Sequence, residues 1–252
     1  MKRFIYISIL LFSFLGFSQS QHNEKLFSKA TESYNSGNFQ EAVDAYMSIL
    51  NSGFESSSLY YNLANAHYKL NHVAECVYYY EKALMLNPEN EDAKNNLFFA
   101  NQMTIDAITP LPKTWLKRIS DGITKLFLPD TWAVFSILGI FGFVISFLLY
   151  YFLERTILKR IFFTAMLVSV IFSIGTYFIA DFHQNNIEME KFAILFDKNV
   201  RVFSEPNAYS SEVFSLHEGT KVEITENLND WVKIKLADGK TGWIKQNVLK
   251  TL

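Results

Sequence analysis

The sequence predicts a multi-domain membrane protein with three parts: an α-helical repeat solenoid, a transmembrane helical hairpin and a small all-β barrel. Three observations predict this fold class. Small and aromatic residues recur at an interval of 34 near the N-terminus, two uncharged apolar runs occupy the middle, and short alternating stretches separated by turns follow. Hydrophobic residues make up 50% of the 252 residues and charged residues only 19%, a balance that indicates apolar sequence in lipid.

Residues 1–20 are predicted to be an export signal. Residues 1–3 carry two positive charges, residues 4–17 are uncharged and largely apolar, and small residues follow at positions 18 and 20. Cleavage near residues 18–20 and retention as an N-terminal anchor both fit this pattern. In either case, the chain after Gln21 is expected outside the cytoplasmic membrane.

Residues 22–107 are predicted to form a helical repeat region. Side chains match at positions 34 apart in the pairs Ala30 and Ala64, Tyr34 and Tyr68, Gly37 and Asn71, Ala42 and Cys76, and Tyr46 and Tyr80. Small residues permit close helix contact, and tyrosines fill the space between turns. The period and spacing resemble the tetratricopeptide repeat. Since one helix pair cannot bury its apolar face, we expect two stacked units and a capping helix from Asp92 to about Ala107.

The first helix of the second unit supplies a predicted protein-binding groove. Its candidate residues are Tyr61, Asn62, Asn65, Tyr68 and Lys69, with Asn96 on the next helix. An Asn amide can bind a peptide backbone through both its donor and its acceptor, and Lys can meet a carboxylate. The alternative, that these are ordinary solvated residues, stays open.

No catalytic residue, metal site or cofactor is predicted, and we expect a protein that is not an enzyme. His67, His72 and Cys76 have spacings of five and four, which could suggest a metal site. However, Cys76 occupies a small-residue packing position and His72 falls in a turn, so structural roles are favoured. The sequence has no phosphate loop, G-x-S-x-G or H-E-x-x-H. A net charge of −2 gives no reason to expect nucleic acid.

Residues 131–153 and 161–180 are predicted to be transmembrane helices. Both runs are uncharged over 23 and 20 residues, and at about 1.5 Å per residue each can cross a hydrocarbon core of about 30 Å. The loop 154–160 carries three basic residues, which favours the cytoplasm. The repeat and β parts would then both face the periplasm from the bacterial cytoplasmic (inner) membrane. Small residues in both runs predict close helix packing, and the lack of ionisable residues predicts no ion path.

Residues 108–130 are predicted to be an amphipathic linker. Apolar residues recur at helical spacing between Trp115 and Phe127. Basic residues accompany them at Lys113, Lys117, Arg118 and Lys125. Basic residues usually mark the cytoplasmic side, so these four argue against the orientation given above, which places them in the periplasm. However, a segment of this kind can lie flat at lipid headgroups, where its basic residues meet anionic lipid. Membrane lipid is therefore a predicted partner.

Residues 190–252 are predicted to form a small, partly closed barrel of five or so strands. Alternating stretches and turn signals such as Asp238-Gly239 indicate the strands. The segments 199–201, 205–206, 216–220 and 238–244, together with Trp231, resemble a bacterial SH3-like domain. Such domains bind cell-wall peptides or protein partners. Trp231 and Trp243 are a candidate ligand surface; the alternative is that both pack the barrel.

The order of export signal, repeats, membrane hairpin and SH3-like domain resembles the BatE-like family of aerotolerance proteins across essentially the whole chain. The resemblance implies a scaffold subunit of a membrane complex linked to oxidative or envelope stress. Its implied partners are von Willebrand A-domain membrane proteins, a MoxR-type ATPase and other aerotolerance-group proteins. The resemblance implies no catalytic residues. A peptidoglycan-binding membrane anchor acting through the SH3-like domain is the alternative function.

Overall fold

A computed structural model describes residues 22–124 and 126–252. The predicted export signal at residues 1–20 lies outside these described residues. The described chain divides into two compact units. The larger unit combines the residues up to Pro110 with Phe192–Leu252, and the smaller unit is Leu111–Lys191.

The N-terminal part of the larger unit is a stack of antiparallel helices. Their bounds are residues 22–35 for α1, Phe39–Asn51 for α2, Ser57–Lys69 for α3, Val73–Leu86 for α4 and Glu91–Asn101 for α5. The side chain of Ser56 accepts a hydrogen bond from the backbone N–H of Leu59 and so caps α3. Asn90 caps α5 in the same way through the N–H of Ala93.

The 34-residue period is visible in the packing of these helices, and the predicted helical repeat is confirmed. Matched residues are buried to 1% exposure or less: Ala30 with Ala64, Ala42 with Cys76, and Tyr46 with Tyr80. The matched turn residues Gly37 and Asn71 both adopt left-handed backbone angles, with φ of +84° and +58°. Gly and Asn are the residue types that tolerate this conformation, so the two helix pairs are joined by equivalent turns.

The turn between α3 and α4 holds two histidines. Nδ1 of buried His67 lies 3.1 Å from Nδ1 of His72, and the His67 ring stacks on Tyr79 at a centroid distance of 5.5 Å. Burial lowers the pKa of His67 from 6.5 to about 4, so its imidazole is neutral at pH 7. The thiol of Cys76 is also buried, which raises its pKa to about 12. A neutral ring and a neutral thiol fit the structural roles favoured from the sequence.

The C-terminal part of the larger unit is a β-domain, which confirms the predicted all-β part. Within the described residues, seven strands form one sheet in the order β3-β2-β6-β5-β4-β1-β7. Their bounds are Lys191–Leu195, Val200–Phe203, Glu212–Leu216, Lys221–Leu228, Trp231–Lys235, Thr241–Lys245 and Leu249–Thr251 for β1 to β7. The count of five or so strands was too low. The missed strands β3 and β7 are short, largely exposed edge strands with little hydrophobic alternation.

The β-domain packs against α4 and the segment after α5. The Asp106 carboxylate accepts hydrogen bonds from the His217 backbone N–H and the Thr220 hydroxyl, each at 2.6 Å, and lies 2.8 Å from His217 Nδ1. Lys221 forms an ion pair of 2.7 Å with Glu81 of α4. The β-domain is therefore attached to the helices through polar contacts at the turn that precedes β4.

Apolar side chains complete this attachment. Ile194 of β1 is fully buried in the same core cluster as Tyr80 and Cys76. Phe196 packs edge-on against Tyr78 of α4, with ring centroids 5.7 Å apart. Because the cores of the two parts merge here, the β-domain and the second repeat are expected to stabilise each other.

The smaller unit contains α6 at Trp115–Thr124, α7 at Pro129–Phe152 and α8 at Thr156–Met189. Among the described residues, α7 and α8 are the two helices long and apolar enough to cross a membrane.

The contact between α7 and α8, here called the seam, is built from small residues. Ser136 Oγ donates to the Ser173 carbonyl at 3.0 Å, and Ser173 Oγ donates to the Ser136 carbonyl at 2.8 Å. A Cβ on Gly139 would lie 2.8 Å from Ser173 Cβ, so only glycine permits this approach.

Gly139→Val is expected to destabilise the α7–α8 pair, because the new side chain must push the backbones apart at Ser173. Gly175→Val is the matched control, since a Cβ at Gly175 has no atom within 4 Å. Thermal unfolding of the full chain in detergent, followed by circular dichroism, measures the effect. The midpoint should fall for Gly139→Val and stay near the wild-type value for Gly175→Val. Equal midpoints for the two variants would contradict the close seam.

Acidification should destabilise the helical part through His67. Its folded pKa of about 4 lies below the unfolded value of 6.5, so the unfolded chain binds a proton first as the pH falls. The free energy of unfolding therefore decreases between about pH 6.5 and pH 4, and at pH 5 it is about 2 kcal/mol lower than at neutral pH. His67→Phe should remove this component of the pH dependence, whereas His22→Phe at an exposed position should keep it. Urea unfolding at pH 7 and pH 5 measures the pH dependence of stability in the two variants. If His67→Phe keeps the wild-type pH dependence, His67 is not its source.

Candidate protein-binding groove

A pocket of about 190 Å³ lies across the helical repeat. It is lined by Tyr34 of α1, Asn65, Tyr68 and Lys69 of α3, Tyr80 of α4, and Asn96 and Phe99 of α5. The structure thus brings four of the six predicted groove residues, Asn65, Tyr68, Lys69 and Asn96, to one place. Their role in binding stays a prediction.

A polar network fixes the floor of this pocket. The Asn65 side-chain oxygen accepts hydrogen bonds from the Tyr80 hydroxyl and, at 2.9 Å, from Asn96 Nδ2. Asn96 Nδ2 also donates to the Tyr61 hydroxyl at 3.2 Å. Burial raises the pKa of Tyr80 far above its usual value, so its hydroxyl stays protonated and remains a donor. Asn65 is therefore positioned by the fold rather than freely solvated.

The rim of the pocket is exposed. Tyr68, Lys69 and Phe99 present an aromatic ring, an ammonium group and a second ring to solvent. Lys69 has no ion-pair partner among the described residues, so its charge is available to a ligand. Tyr61 joins the network beside the pocket, and half-buried Asn62 does not line it.

Trp231 and Trp243 lie on the face of the β-domain opposite its core. Val232 and Ile244, their neighbours in sequence, are buried in the core, whereas both indoles are half-buried on the outer face. Phe203 packs edge-on against Trp231, with ring centroids 5.5 Å apart. Neither tryptophan belongs to the core cluster, and each keeps part of its side chain exposed, while their role in ligand binding stays a prediction.

A broad polar depression of about 630 Å³ adjoins Trp231. Its other lining residues are Ala208, Asp230, Lys245, Gln246 and Asn247. On the same outer face, Lys233 Nζ lies 5.7 Å from the centre of the Trp243 ring. Aromatic rings beside amide and charged groups can hold an extended polar chain. This surface is the second candidate site.

Several residues of these sites were not singled out from the sequence. Tyr34 could have been found, because it precedes the candidate Tyr68 by one repeat. Phe99 could not have been found, since an apolar residue at its place is equally typical of packing. For metals, the described residues contain no group of three or more His, Cys, Asp or Glu side chains placed to hold an ion.

Comparison with known families agrees with this geometry in two segments. Residues 57–90 match the family model of the tetratricopeptide repeat, which covers α3 and α4. Residues 198–250 match the model of the bacterial SH3 domain, which covers β2 to β6 and reaches into β7. No curated protein matches the chain. The chain therefore carries a tetratricopeptide repeat and a bacterial SH3 domain, two modules typical of binding and scaffold proteins.

Proposed function

We propose that this chain is a non-enzymatic, membrane-anchored scaffold that binds a protein partner in the groove of its helical repeat. The observation that carries the proposal is the pocket at Asn65, Tyr68, Lys69 and Asn96. It combines a polar floor held in place by hydrogen bonds with an exposed aromatic and cationic rim. Little ordering remains to be done in the floor when a ligand binds, which favours affinity.

The attachment of the β-domain leaves this pocket open. Its contacts with the helices use Tyr78 and Glu81 of α4 and Asp106 after α5. None of these residues lines the pocket. The repeat therefore carries the β-domain and retains a free groove.

The chemistry of the groove favours an extended peptide with an acidic side chain or carboxylate. The amide hydrogens of Asn65 can donate to a peptide carbonyl, because the internal hydrogen bonds of the pocket use the oxygen of that amide. Lys69 supplies the charge complementary to a carboxylate. Tyr68 and Phe99 supply apolar contact for a neighbouring side chain.

The cellular setting of the proposal is the bacterial cytoplasmic membrane, with the repeat and the SH3 domain in the periplasm. Two apolar helices that can span a membrane and a bacterial SH3 domain support it. The same order of modules supports membership in a BatE-type aerotolerance or envelope-stress complex. The proposed partners are von Willebrand A-domain membrane proteins and other proteins of that group.

Lys69→Ala combined with Tyr68→Ala should weaken partner binding about tenfold or more. Loss of a charged hydrogen bond costs about 1.5–3 kcal/mol, and tenfold corresponds to about 1.4 kcal/mol. Asn65 is left intact, because its removal would leave the buried Tyr80 hydroxyl without its acceptor and destabilise the fold. Lys25→Ala, an exposed lysine of α1 outside the pocket, is the charge-matched control. Co-purification of membrane partners with full-length protein measures the effect, with circular dichroism confirming helix content.

If the folded double variant captures its membrane partners as well as the wild type does, the SH3 domain or the membrane helices must bind them instead of the groove. If Lys25→Ala loses partner capture to the same extent, the effect is one of general charge, which also contradicts the proposed role of the groove.

The outer aromatic face of the β-domain favours a second candidate function, binding of peptidoglycan by a membrane anchor. Trp231→Ala should then reduce co-sedimentation of the detergent-solubilised full chain with purified peptidoglycan by about two- to tenfold, the range expected for a lost aromatic contact. Trp115→Ala, an exposed tryptophan of α6, is the control. If the wild-type chain stays in the supernatant, the peptidoglycan function is rejected.

A further inference from the structure

Helix α6 packs against the rest of the smaller unit through its polar side. Thr124 is buried, and its carbonyl accepts a hydrogen bond from Trp132 Nε1 at 3.4 Å. Asp121 forms ion pairs with Lys113 and Lys117. Lys117 also reaches Glu190, at the end of α8, at 3.6 Å. Thr124 and Asp121, on the polar side of α6, are therefore turned toward the protein, whereas the Lys117 side chain stays 44% exposed.

The apolar side of α6 points away from the protein. Trp115, Leu116, Ile119 and Ile123 are 67%, 61%, 54% and 42% exposed. Positions 115, 119 and 123 are separated by four residues each, and 116 lies beside them, so the four side chains share one stripe. The described residues provide no cover for this stripe.

This arrangement is the reverse of an amphipathic helix on a water-soluble domain, which turns its apolar stripe inward. We infer that α6 is an interfacial helix, whose apolar stripe lies in the headgroup and acyl boundary of the bilayer crossed by α7 and α8. The molecule that contacts the stripe is phospholipid.

Continuity with α7 supports lipid as the occupant. Leu126, Phe127 and Leu128 extend the exposed apolar surface from α6 to the start of α7 at Pro129. The Phe127 ring packs edge-on against Trp132 and Phe135 of α7, at centroid distances of 5.4 and 5.3 Å. An aromatic cluster at the end of a membrane-spanning helix is typical of the interface between lipid and water.

Charge gives a second argument for lipid. Segment 113–125 contains four basic residues and one acidic residue, a net charge of +3. Basic residues beside an apolar stripe are typical of helices that lie on anionic bilayers. The inference depends on α7 and α8 spanning the membrane as proposed above, and it is independent of what the groove binds.

Spin-label accessibility in the full-length protein tests the inference. Cys76→Ala provides the background, since the first repeat carries Ala42 at the equivalent buried position. Single labels are placed at Ile119→Cys on α6, at Ile140→Cys on the exposed side of α7 as the lipid reference, and at Tyr209→Cys, fully exposed in the β-domain, as the water reference. The protein is reconstituted into vesicles of phosphatidylcholine with phosphatidylglycerol. Collision with oxygen and with a water-soluble nickel complex is then measured.

The label at Ile119 should collide mainly with oxygen, as the label at Ile140 does. Strong collision with nickel, as at Tyr209, would place α6 in water and overturn the inference. Shielding from both reagents would mean that protein covers the stripe, which also overturns it. Strong nickel collision at Ile140 would contradict the membrane hairpin and therefore also the inference about α6. It would leave the proposed binding role of the groove unaffected.

Discussion

The hydrogen bonds of the Asp106 carboxylate join the helical and β parts of the larger unit. Burial by itself raises the pKa of this carboxyl, but the hydrogen bonds from Thr220 and His217 outweigh burial and lower it. The group therefore stays ionised, and an ionised acceptor makes stronger hydrogen bonds than a neutral one. The turn can come this close because it contains Gly219, at φ +83°, where a Cβ would lie within 3 Å of side-chain atoms of Val73 and Thr104.

This attachment limits the topologies that are compatible with the proposed membrane anchor. The chain leaves the larger unit at Pro110 and returns to it at Phe192. Segments that share a core must lie on the same side of any membrane, so an intervening chain that crosses one, as proposed above, must cross it an even number of times. The described residues contain two helices that can span, α7 and α8, which satisfies this requirement. The basic loop 154–160 concerns a separate question, which side of the membrane the hairpin faces, and that orientation stays a prediction.

Contacts set by local spacing could be predicted from the sequence, and contacts between distant segments could not. The match of Gly37 with Asn71 identified equivalent turns, because the repeat period fixes backbone geometry within each unit. The apolar runs identified α7 and α8 for a similarly local reason. In contrast, Asp106 and His217 are 111 positions apart, and neither stands out by type or spacing. For α6, the hydrophobic pattern predicted a segment that can lie at lipid headgroups, but it could not predict that Thr124 contacts Trp132 of α7, because that contact depends on how the two helices meet.

The groove illustrates how fold and binding share residues. From sequence, Asn65 is an amide ready for a ligand, but its oxygen already accepts from the buried Tyr80 hydroxyl and from Asn96. A ligand competing for that oxygen would leave Tyr80 without its acceptor, at a cost of about 1–3 kcal/mol. Discrimination between ligands therefore falls to groups that the fold does not use, which are Tyr68, Lys69 and the amide hydrogens of Asn65. These groups lie at the end of α3, next to the Asn71 turn, so the geometry that defines the repeat also positions its binding residues.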